Sequence, residues 1–295
     1  MIEITKLTKQ YRSGKGIFDL SFSVDEGEVF GYLGPNGAGK TTTIRHLLGF
    51  MRPDRGRCTI NGLDCRRKTA RIQEFLGYLP EESAFFKDMT GVQFLGFMED
   101  MRGTRDKRRR AMLLERFELD TAGKIRKMSK GMRQKLALVT AFMHDPAVYV
   151  LDEPTGGLDP LMQNVFIDLV LEEKRRGKTI LMSSHRFEEI ERTSDRAGII
   201  REGRLAAVED VDSLKSSQRT AYIVTVGSDS DIDTLRSAGL EIGSVSHNRV
   251  EVFVTSDFGA FTRALADCEV LGLDVAAQSL EQVFMKYYRK EEEVS

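Results

Sequence analysis

The sequence predicts an α/β fold built on a parallel sheet, followed by a second and smaller α+β domain. Apolar segments of strand length alternate with longer amphipathic segments through most of the 295 residues. The segment AVYVLDE (147–153) has the short apolar run of a strand that is buried on both faces. Such alternation of strands and helices is typical of an α/β core. Beyond residue 219 the pattern becomes β-α-β-β-α-β, which is typical of a small ferredoxin-like unit.

The first strands are predicted near the N-terminus. Apolar and polar residues alternate in IEITKL (2–7) and LSFSV (20–24), which indicates strands with one buried face. EVFGYLG (28–34) indicates a more deeply buried strand that leads into a glycine-rich turn and a helix from about Lys40. GRCTINGLD (56–64) predicts a hairpin, because Asn-Gly is a favoured two-residue turn.

From Phe85 to about Met128 the pattern becomes helical and charged. RDKRRRAMLLERFEL (105–119) predicts one amphipathic helix, and we expect its basic run to face solvent rather than to bind phosphate. VFIDLVLEEKRRGKTILMSSH (165–185) then predicts a helix followed by another buried strand.

The distribution of charge places a domain boundary near residue 215. Residues 219–295 carry 7 Lys+Arg and 13 Asp+Glu, whereas the rest of the chain carries a small positive excess. We therefore expect a first domain over 1–212, a linker over 213–218 and an accessory domain over 219–295. The segment SLEQVFMKYYRK (279–290) predicts a helix that closes this last domain.

Composition excludes several classes of protein. The net charge is −1, and neither part of the chain is basic enough to suggest a nucleic-acid partner. No apolar run approaches the roughly 20 residues of a membrane-spanning helix, and the N-terminus has no apolar core of a signal peptide. Three cysteines do not make a disulfide framework, so we expect Cys58 and Cys65 to be reduced thiols. We expect the protein on the cytosolic side.

A phosphate-binding loop is predicted at GPNGAGKT (34–41). This segment fits the pattern G-x-x-x-x-G-K-[ST], and it lies between a predicted strand and a predicted helix, as the pattern requires. The side chain of Lys40 would carry a positive charge to the β- and γ-phosphates, and the Thr41 hydroxyl can hold Mg²⁺. The expected nucleotide-binding residues of the loop are Gly34, Asn36, Gly37, Ala38, Gly39, Lys40, Thr41 and Thr42.

Two carboxylates end the next buried strand, in VYVLDEP (148–154). At that position Asp152 can present its carboxylate to a magnesium ion, as a Walker B acid does. The neighbouring Glu153 is placed to orient or deprotonate a water molecule aimed at the γ-phosphate.

His185 follows a further buried strand, in ILMSSHR. Because the carboxyl ends of parallel strands meet at one edge of a sheet, this histidine could reach the γ-phosphate or the attacking water. A histidine with no other catalytic residue beside it in the sequence more often has a structural role. The residue pattern alone therefore leaves both a structural and a catalytic role open for His185.

A helix is predicted to begin in MSKGMRQK (128–135), where Ser129 is a favourable N-cap. The start of a helix presents free N–H groups and a partial positive charge, and Gly131 leaves room for a negatively charged group to approach. The pattern predicts an anion in front of this helix without identifying it.

Taken in order, these motifs identify the family that the chain resembles. GPNGAGKT, MSKGM, VLDEP, GLDP (157–160) and SSH are similar to the Walker A, signature, Walker B, D-loop and switch-histidine elements of the ATP-binding cassette (ABC) transporter nucleotide-binding subunits. The resemblance covers residues 1 to about 210. It implies a RecA-like sheet, an antiparallel β subdomain and a helical subdomain over about 85–145.

The resemblance also implies roles for individual residues. In this family two cassettes pack head to tail, so Ser129 and Gly131 would contact the γ-phosphate of ATP bound by the other cassette. Asp159 would cross the same interface, Tyr11 would stack on adenine and His185 would act in hydrolysis. Homodimers and heterodimers both satisfy this arrangement.

Three positions depart from the common family pattern. Lys130 and Met132 replace a glycine and a glutamine of the signature. Glu81 stands where many members have a glutamine that contacts magnesium, and a carboxylate there can still ligate Mg²⁺. LPEE, SKGMRQK and SLEQVF together resemble the exporter-type bacterial branch whose permease is a separate chain. Phe85 and Phe86 are candidates for the groove that receives the permease, with plain core packing as the alternative.

We therefore expect a Mg²⁺-dependent ATPase at the cytoplasmic face of the membrane. It would power export through a separate integral-membrane permease, by ATP-driven dimerisation of two cassettes. One alternative is a soluble ABC-type ATPase that acts on nucleic acid or the ribosome, and another is a nucleotide sensor. The absence of a basic arm disfavours the first alternative, and the presence of both Glu153 and His185 disfavours the second. The sequence does not identify the exported substrate.

Overall fold

The computed structural model describes residues 1–103, 107–216, 220–254 and 258–277. The chain divides into two compact units, Met1–Val211 and Asp212–Ser295. Part of the predicted linker and the whole of the predicted closing helix over 279–290 lie outside the described residues.

A six-stranded sheet forms the centre of the first unit. Its strands are β3 (Val29–Leu33), β6 (Leu76–Leu79), β7 (Val148–Asp152), β8 (Thr179–Ser184), β9 (Arg196–Arg201) and β10 (Arg204–Asp210). They lie in the order β10-β9-β3-β8-β7-β6, and all neighbours pair in parallel except β9 and β10. Every residue of β3, β7 and β8 is buried, as expected for strands covered on both faces. The predicted α/β core is confirmed.

A four-stranded antiparallel sheet packs beside this core. It consists of β1 (Ile2–Gln10), β2 (Gly16–Val24), β4 (Arg55–Ile60) and β5 (Leu63–Asp64), in the order β2-β1-β4-β5. The predicted hairpin joins β4 and β5, and both turn residues have positive φ, 49° at Asn61 and 73° at Gly62. That geometry is typical of a type I′ turn. Cys58 and Cys65 flank the hairpin as buried free thiols.

Helices cover the large sheet and form a helical region at one side. They are α1 (Lys40–Leu47), α2 (Thr69–Phe75), α3 (Gly91–Arg102), α4 (Lys107–Arg116), α5 (Lys130–Phe142), α6 (Pro160–Arg175) and α7 (Phe187–Thr193). A short helix, α8 (Val211–Ser216), lies where the first unit ends and the second begins. A capping box in which Thr90 and Gln93 bond reciprocally fixes the start of α3. Among the described residues, no helix is long and apolar enough to cross a membrane.

The basic run at the start of α4 does not simply face solvent, so that prediction is wrong for two of its arginines. Arg109 donates from Nη2 to Glu173 Oε1 at 2.7 Å and from Nε to the Phe142 carbonyl at 2.7 Å. Arg110 donates to Glu99 Oε2 at 2.7 Å. The long side chains reach carboxylates on neighbouring helices, which a pattern of local charge does not reveal.

The second unit contains β11 (Thr220–Val226), α9 (Asp229–Ser237), β12 (Glu241–Ser246), β13 (Arg249–Val254), α10 (Phe258–Ala266) and β14 (Val270–Ala277). Its strands lie in the order β12-β13-β11-β14, with antiparallel neighbours throughout. A separate core includes Val224, Val250, Val252 and Phe261. The order of elements is the one that the sequence pattern predicts.

Candidate nucleotide-binding site

The carboxyl ends of three adjacent strands bring the predicted phosphate-binding motifs together. In the sheet β8 lies between β3 and β7, so the segments after Leu33, Asp152 and Ser184 emerge side by side. Open α/β sheets bind their ligands at such an edge. A cavity there is lined by Pro35, Asn36, Gly37, Gly39, Lys40, Thr41, Thr42, Glu81 and Glu153.

The loop after β3 is tightly anchored. The Gly34 N–H donates to the Ser184 carbonyl at 3.2 Å, and Gly203 N–H donates to the Ala38 carbonyl at 2.9 Å. Gly39 precedes α1 with φ of 113°, and a Cβ there would lie 2.6 Å from Ile17 Cγ2. Only glycine fits this position, both for its backbone conformation and for the space around it. Gly34 and Ala38 are buried supports of the loop and do not line the cavity.

Lys40 points back along the loop. Its Nζ donates to the carbonyls of Gly34, at 2.6 Å, and Pro35, at 3.3 Å. The same ammonium lies 3.0 Å from Glu153 Oε1, and these two side chains are only 6% and 12% exposed. A largely buried carboxylate therefore balances the lysine charge beside the phosphate loop.

Glu153 also contacts the predicted switch histidine. The Nδ1 atom of His185 lies 2.7 Å from Glu153 Oε2. Glu153 has φ of 49°, which is unusual for a residue other than glycine and is typical of functional positions. Its N–H donates to the Ser183 carbonyl at 3.2 Å and to Ser183 Oγ at 3.1 Å, which holds this backbone conformation in place. The structure brings Lys40, Glu153 and His185 together.

Asp152 is fully buried at the end of β7. Its Oδ1 accepts a hydrogen bond from the Ser183 hydroxyl, whereas its buried Oδ2 has no hydrogen-bond partner among the described residues. Burial raises the pKa of Asp152, and the hydroxyl groups of Ser183 and Thr41 act in the opposite direction. A buried carboxylate oxygen without a donor fits a site for a cation.

The set of donors fits Mg²⁺. Asp152 Oδ2 has no hydrogen-bond partner among the described residues, and Thr41 and Glu81 line the cavity. Hydroxyl and carboxylate oxygens are the ligands that Mg²⁺ prefers in proteins.

Tyr11 lies at the side of the phosphate loop. Its hydroxyl lies 3.4 Å from Thr42 Oγ1 and 3.4 Å from Met51 Sδ, and its side chain is 37% exposed. An exposed aromatic ring in this place can offer a face to a planar base.

The predicted signature residues lie elsewhere. Ser129 caps α5 by accepting a hydrogen bond from the Met132 N–H at 3.1 Å, and Asp159 caps α6 by accepting from the Met162 N–H at 2.9 Å. A Cβ at Gly131 would lie 3.0 Å from the Gly157 carbonyl oxygen. None of Ser129, Gly131 and Asp159 lines the phosphate cavity of its own chain, as far as the described residues define it.

The substituted signature residues have structural roles. The side-chain carbons of Lys130 would lie 3.2–3.3 Å from a Cβ at Gly157, so this lysine packs over the loop before α6. The backbone N–H of Met132, whose side chain differs from the family glutamine, supplies the donor that Ser129 accepts. Both substitutions leave the helix start intact.

One hydrogen bond joins α5 to the site and was not predicted from the sequence. Gln134 is buried, and its Nε2 donates to the Pro154 carbonyl at 2.7 Å, one residue beyond Glu153. A glutamine on the otherwise apolar face of α5 was the available signal, because a buried amide needs partners.

Comparison with known proteins places this geometry in a family. A family model described as ABC transporter matches residues 17–156. The linearmycin resistance ATP-binding protein LnrL of Bacillus subtilis is 31% identical, and the alignment covers 97% of each chain. The bacitracin transport ATP-binding protein BcrA of Bacillus licheniformis is 37% identical over 74% of this chain and 72% of its own.

Solved structures have the same fold. An ATP-binding subunit of an ABC transporter is 33% identical with a TM-score of 0.68, covering 73% of this chain and 92% of that one. A dimeric ATP-binding cassette with bound ADP and Pi is 21% identical with a TM-score of 0.66, covering 72% and 99%. This chain therefore belongs to the ABC transporter family, as an ATP-binding subunit that hydrolyses ATP.

Proposed function

We propose that this subunit powers export through a separate integral-membrane permease, and that ATP drives two copies of it to pair. The observation that carries the proposal is the separation of two half-sites within one chain. The phosphate cavity and the capped start of α5 are both present, yet Ser129 and Gly131 do not line the cavity. A symmetric pair of chains completes two sites at once.

Each site would hold one ATP between the chains. The loop over 34–42 and Lys40 bind the phosphates, and the ring of Tyr11 stacks on adenine. From the other chain, Ser129 and the Gly131 N–H contact the γ-phosphate, while Asp159 lies in the same interface. The start of a helix favours this contact, because its free N–H groups and dipole attract anions.

Mg²⁺ would be held by Thr41, Asp152 and Glu81, and when bound it neutralises charge on the β- and γ-phosphates. Glu153 orients the attacking water and accepts its proton. His185 holds the Glu153 carboxylate through Nδ1, which leaves Nε2 free to face the γ-phosphate. The incoming phosphate replaces Glu153 as the partner of Lys40, which frees the carboxylate for this role.

The permease would dock on the exposed side of α3. Phe86 and Phe97 are 55% and 36% exposed, and their rings meet edge to face with centroids 5.5 Å apart. Phe85 instead packs against Phe94 at 5.1 Å, so core packing accounts for it. Exposed aromatic groups are favoured in interfaces. The names of two relatives, for bacitracin transport and linearmycin resistance, support an exporter.

Light scattering of the Glu153→Gln chain tests the paired site. With ATP and Mg²⁺ the mass should double, and with ADP it should stay that of one chain. A mass that does not respond to ATP would overturn the proposal.

A further inference from the structure

The strand β14 carries an apolar face that is exposed in the part of the chain that the structure describes. Leu271, Leu273 and Val275 alternate along this strand, so their side chains lie on one side of the sheet. They are 61%, 48% and 64% exposed. Within the described residues β14 pairs only with β11 and is the edge of the sheet.

This face continues the buried side of the sheet. Leu273 lies opposite Val224, and Val275 lies opposite Tyr222. Residues directly opposite each other on neighbouring strands point to the same side. Val224 is fully buried, so the core beneath it extends along β14, where the described residues do not cover it.

Helices α9 and α10 pack on the core residues of β11 and β13, and among the described residues that core includes no residue of β14. Phe261 of α10 and Ile232 of α9 pack in the core with Val224. Phe258, at the start of α10, is 50% exposed, and its ring centroid lies 6.0 Å from that of Tyr222. Together Phe258, Leu271, Leu273 and Val275 form what we call the β14 face. Isolated exposed apolar residues are common, but a contiguous row beside a core indicates a binding surface.

The chain itself supplies a matching segment. The described residues end at Ala277, at the end of β14, and residues 278–295 follow. In this segment Ser279 and Gln282 have the spacing of a capping box. Apolar side chains then recur at the spacing of one helix face, at Leu280, Val283, Phe284 and Tyr287.

We propose that residues 279–290 form an amphipathic helix that packs on the β14 face of the same chain. The segment begins two residues after the strand, so its local concentration at this face greatly exceeds that of any other molecule. Gln282, Lys286 and Arg289 fall on the opposite side of such a helix and would face water. The helix completes the core of the accessory unit.

Tryptophan fluorescence tests this directly, because the chain contains no tryptophan. In the full chain, Phe284→Trp should emit at short wavelength, as a buried indole does. Its matched control, Lys286→Trp, should emit like an indole in water. Leu273→Asp with Val275→Asp should move the Phe284→Trp emission to long wavelength, whereas Asp274→Ser, on the other face of β14, should leave it unchanged.

Three results would overturn the proposal. The first is water-like emission from Phe284→Trp, and the second is buried emission that the β14 substitutions do not change. The third is buried emission that is lost on dilution, which would assign the face to a second copy. Hydrogen exchange of the β14 amides provides a check that does not depend on the reporter, since Phe284→Asp should accelerate it.

Discussion

Glu153 combines three features that its sequence position alone does not reveal. Its backbone has φ of 49°, and its carboxylate contacts Lys40 on one oxygen and His185 on the other. The carboxylate contacts Lys40, whose ammonium would bind phosphate in the proposed function. On that proposal, binding of ATP exchanges one negative group at Lys40 for another and frees Glu153 to act on the attacking water.

Replacing this carboxylate should separate binding from hydrolysis. We expect Glu153→Gln to lower the rate of phosphate release by about 100-fold or more, the usual contribution of a general base. ATP affinity, measured by calorimetry, should be retained or increased, because the amide competes less well for Lys40. Glu202→Gln, at an exposed position, is the control. Hydrolysis within a few-fold of wild type would contradict this role.

Asp152 should reduce stability when no cation is bound. Burial raises its pKa, so the folded chain binds this proton more tightly than the unfolded chain does. Stability without Mg²⁺ should therefore increase as the pH falls from neutral through the raised pKa towards the ordinary value. Asp152→Asn removes the buried charge and should raise Tm by a few degrees at neutral pH, while abolishing Mg²⁺-dependent hydrolysis. Thermal unfolding in chelator across this pH range measures the difference, and an Asp152→Asn chain that melts lower at neutral pH would contradict the assignment.

At the scale of elements, arginines join the helical region to the core. Arg109 of α4 bonds to Glu173 of α6, which is 1% exposed, and Arg116 lies 2.5 Å from Glu172. Arg102 of α3 donates to the carbonyls of Gln73 and Leu76. These contacts join α3 to α2 and β6, and they join α4 to α6.

Loss of the Arg109 side chain should destabilise the first unit. We expect Arg109→Ala to cost about 2 kcal/mol, because it leaves a buried carboxylate with fewer donors, although Arg176 still bonds to Glu173. Lys107→Ala, on an exposed position of the same helix, should change stability by less than about 0.5 kcal/mol. Urea unfolding compares the two variants, and equal effects would show that the buried pair contributes nothing.

The sequence predicted what is local and missed what joins distant segments. The loop at 34–41 and the acids at 152–153 are each a few consecutive residues, so pattern and context were enough to predict that they lie at the same edge of the sheet. The contact of Arg109 with Glu173 joins residues 64 positions apart, and no spacing predicts it. Tyr11 was identified only through the family resemblance, because one tyrosine after a strand has no distinctive pattern.

At the scale of the whole molecule, the proposed function places two halves of different sites on each chain. The start of α5 should therefore contribute to ATP binding and hydrolysis only when two chains pair. In the Glu153→Gln background, Ser129→Arg should block the ATP-driven dimer while the single chain keeps its ATP affinity. Ser129→Ala loses the same cap without adding bulk, at a cost of about 1 kcal/mol, and should still dimerise. Light scattering distinguishes them, and an ATP-dependent dimer of the Ser129→Arg chain would count against the interface.

Mixing two inactive variants tests the shared site most directly. Lys40→Ala cannot hold the phosphates, and Ser129→Arg cannot complete the other chain's site, so each alone should hydrolyse almost no ATP. In an equal mixture, one site of each mixed pair combines an intact phosphate loop with an intact Ser129. The mixture should therefore hydrolyse ATP well above the rate of either variant alone. A mixture as inactive as its components would contradict the account.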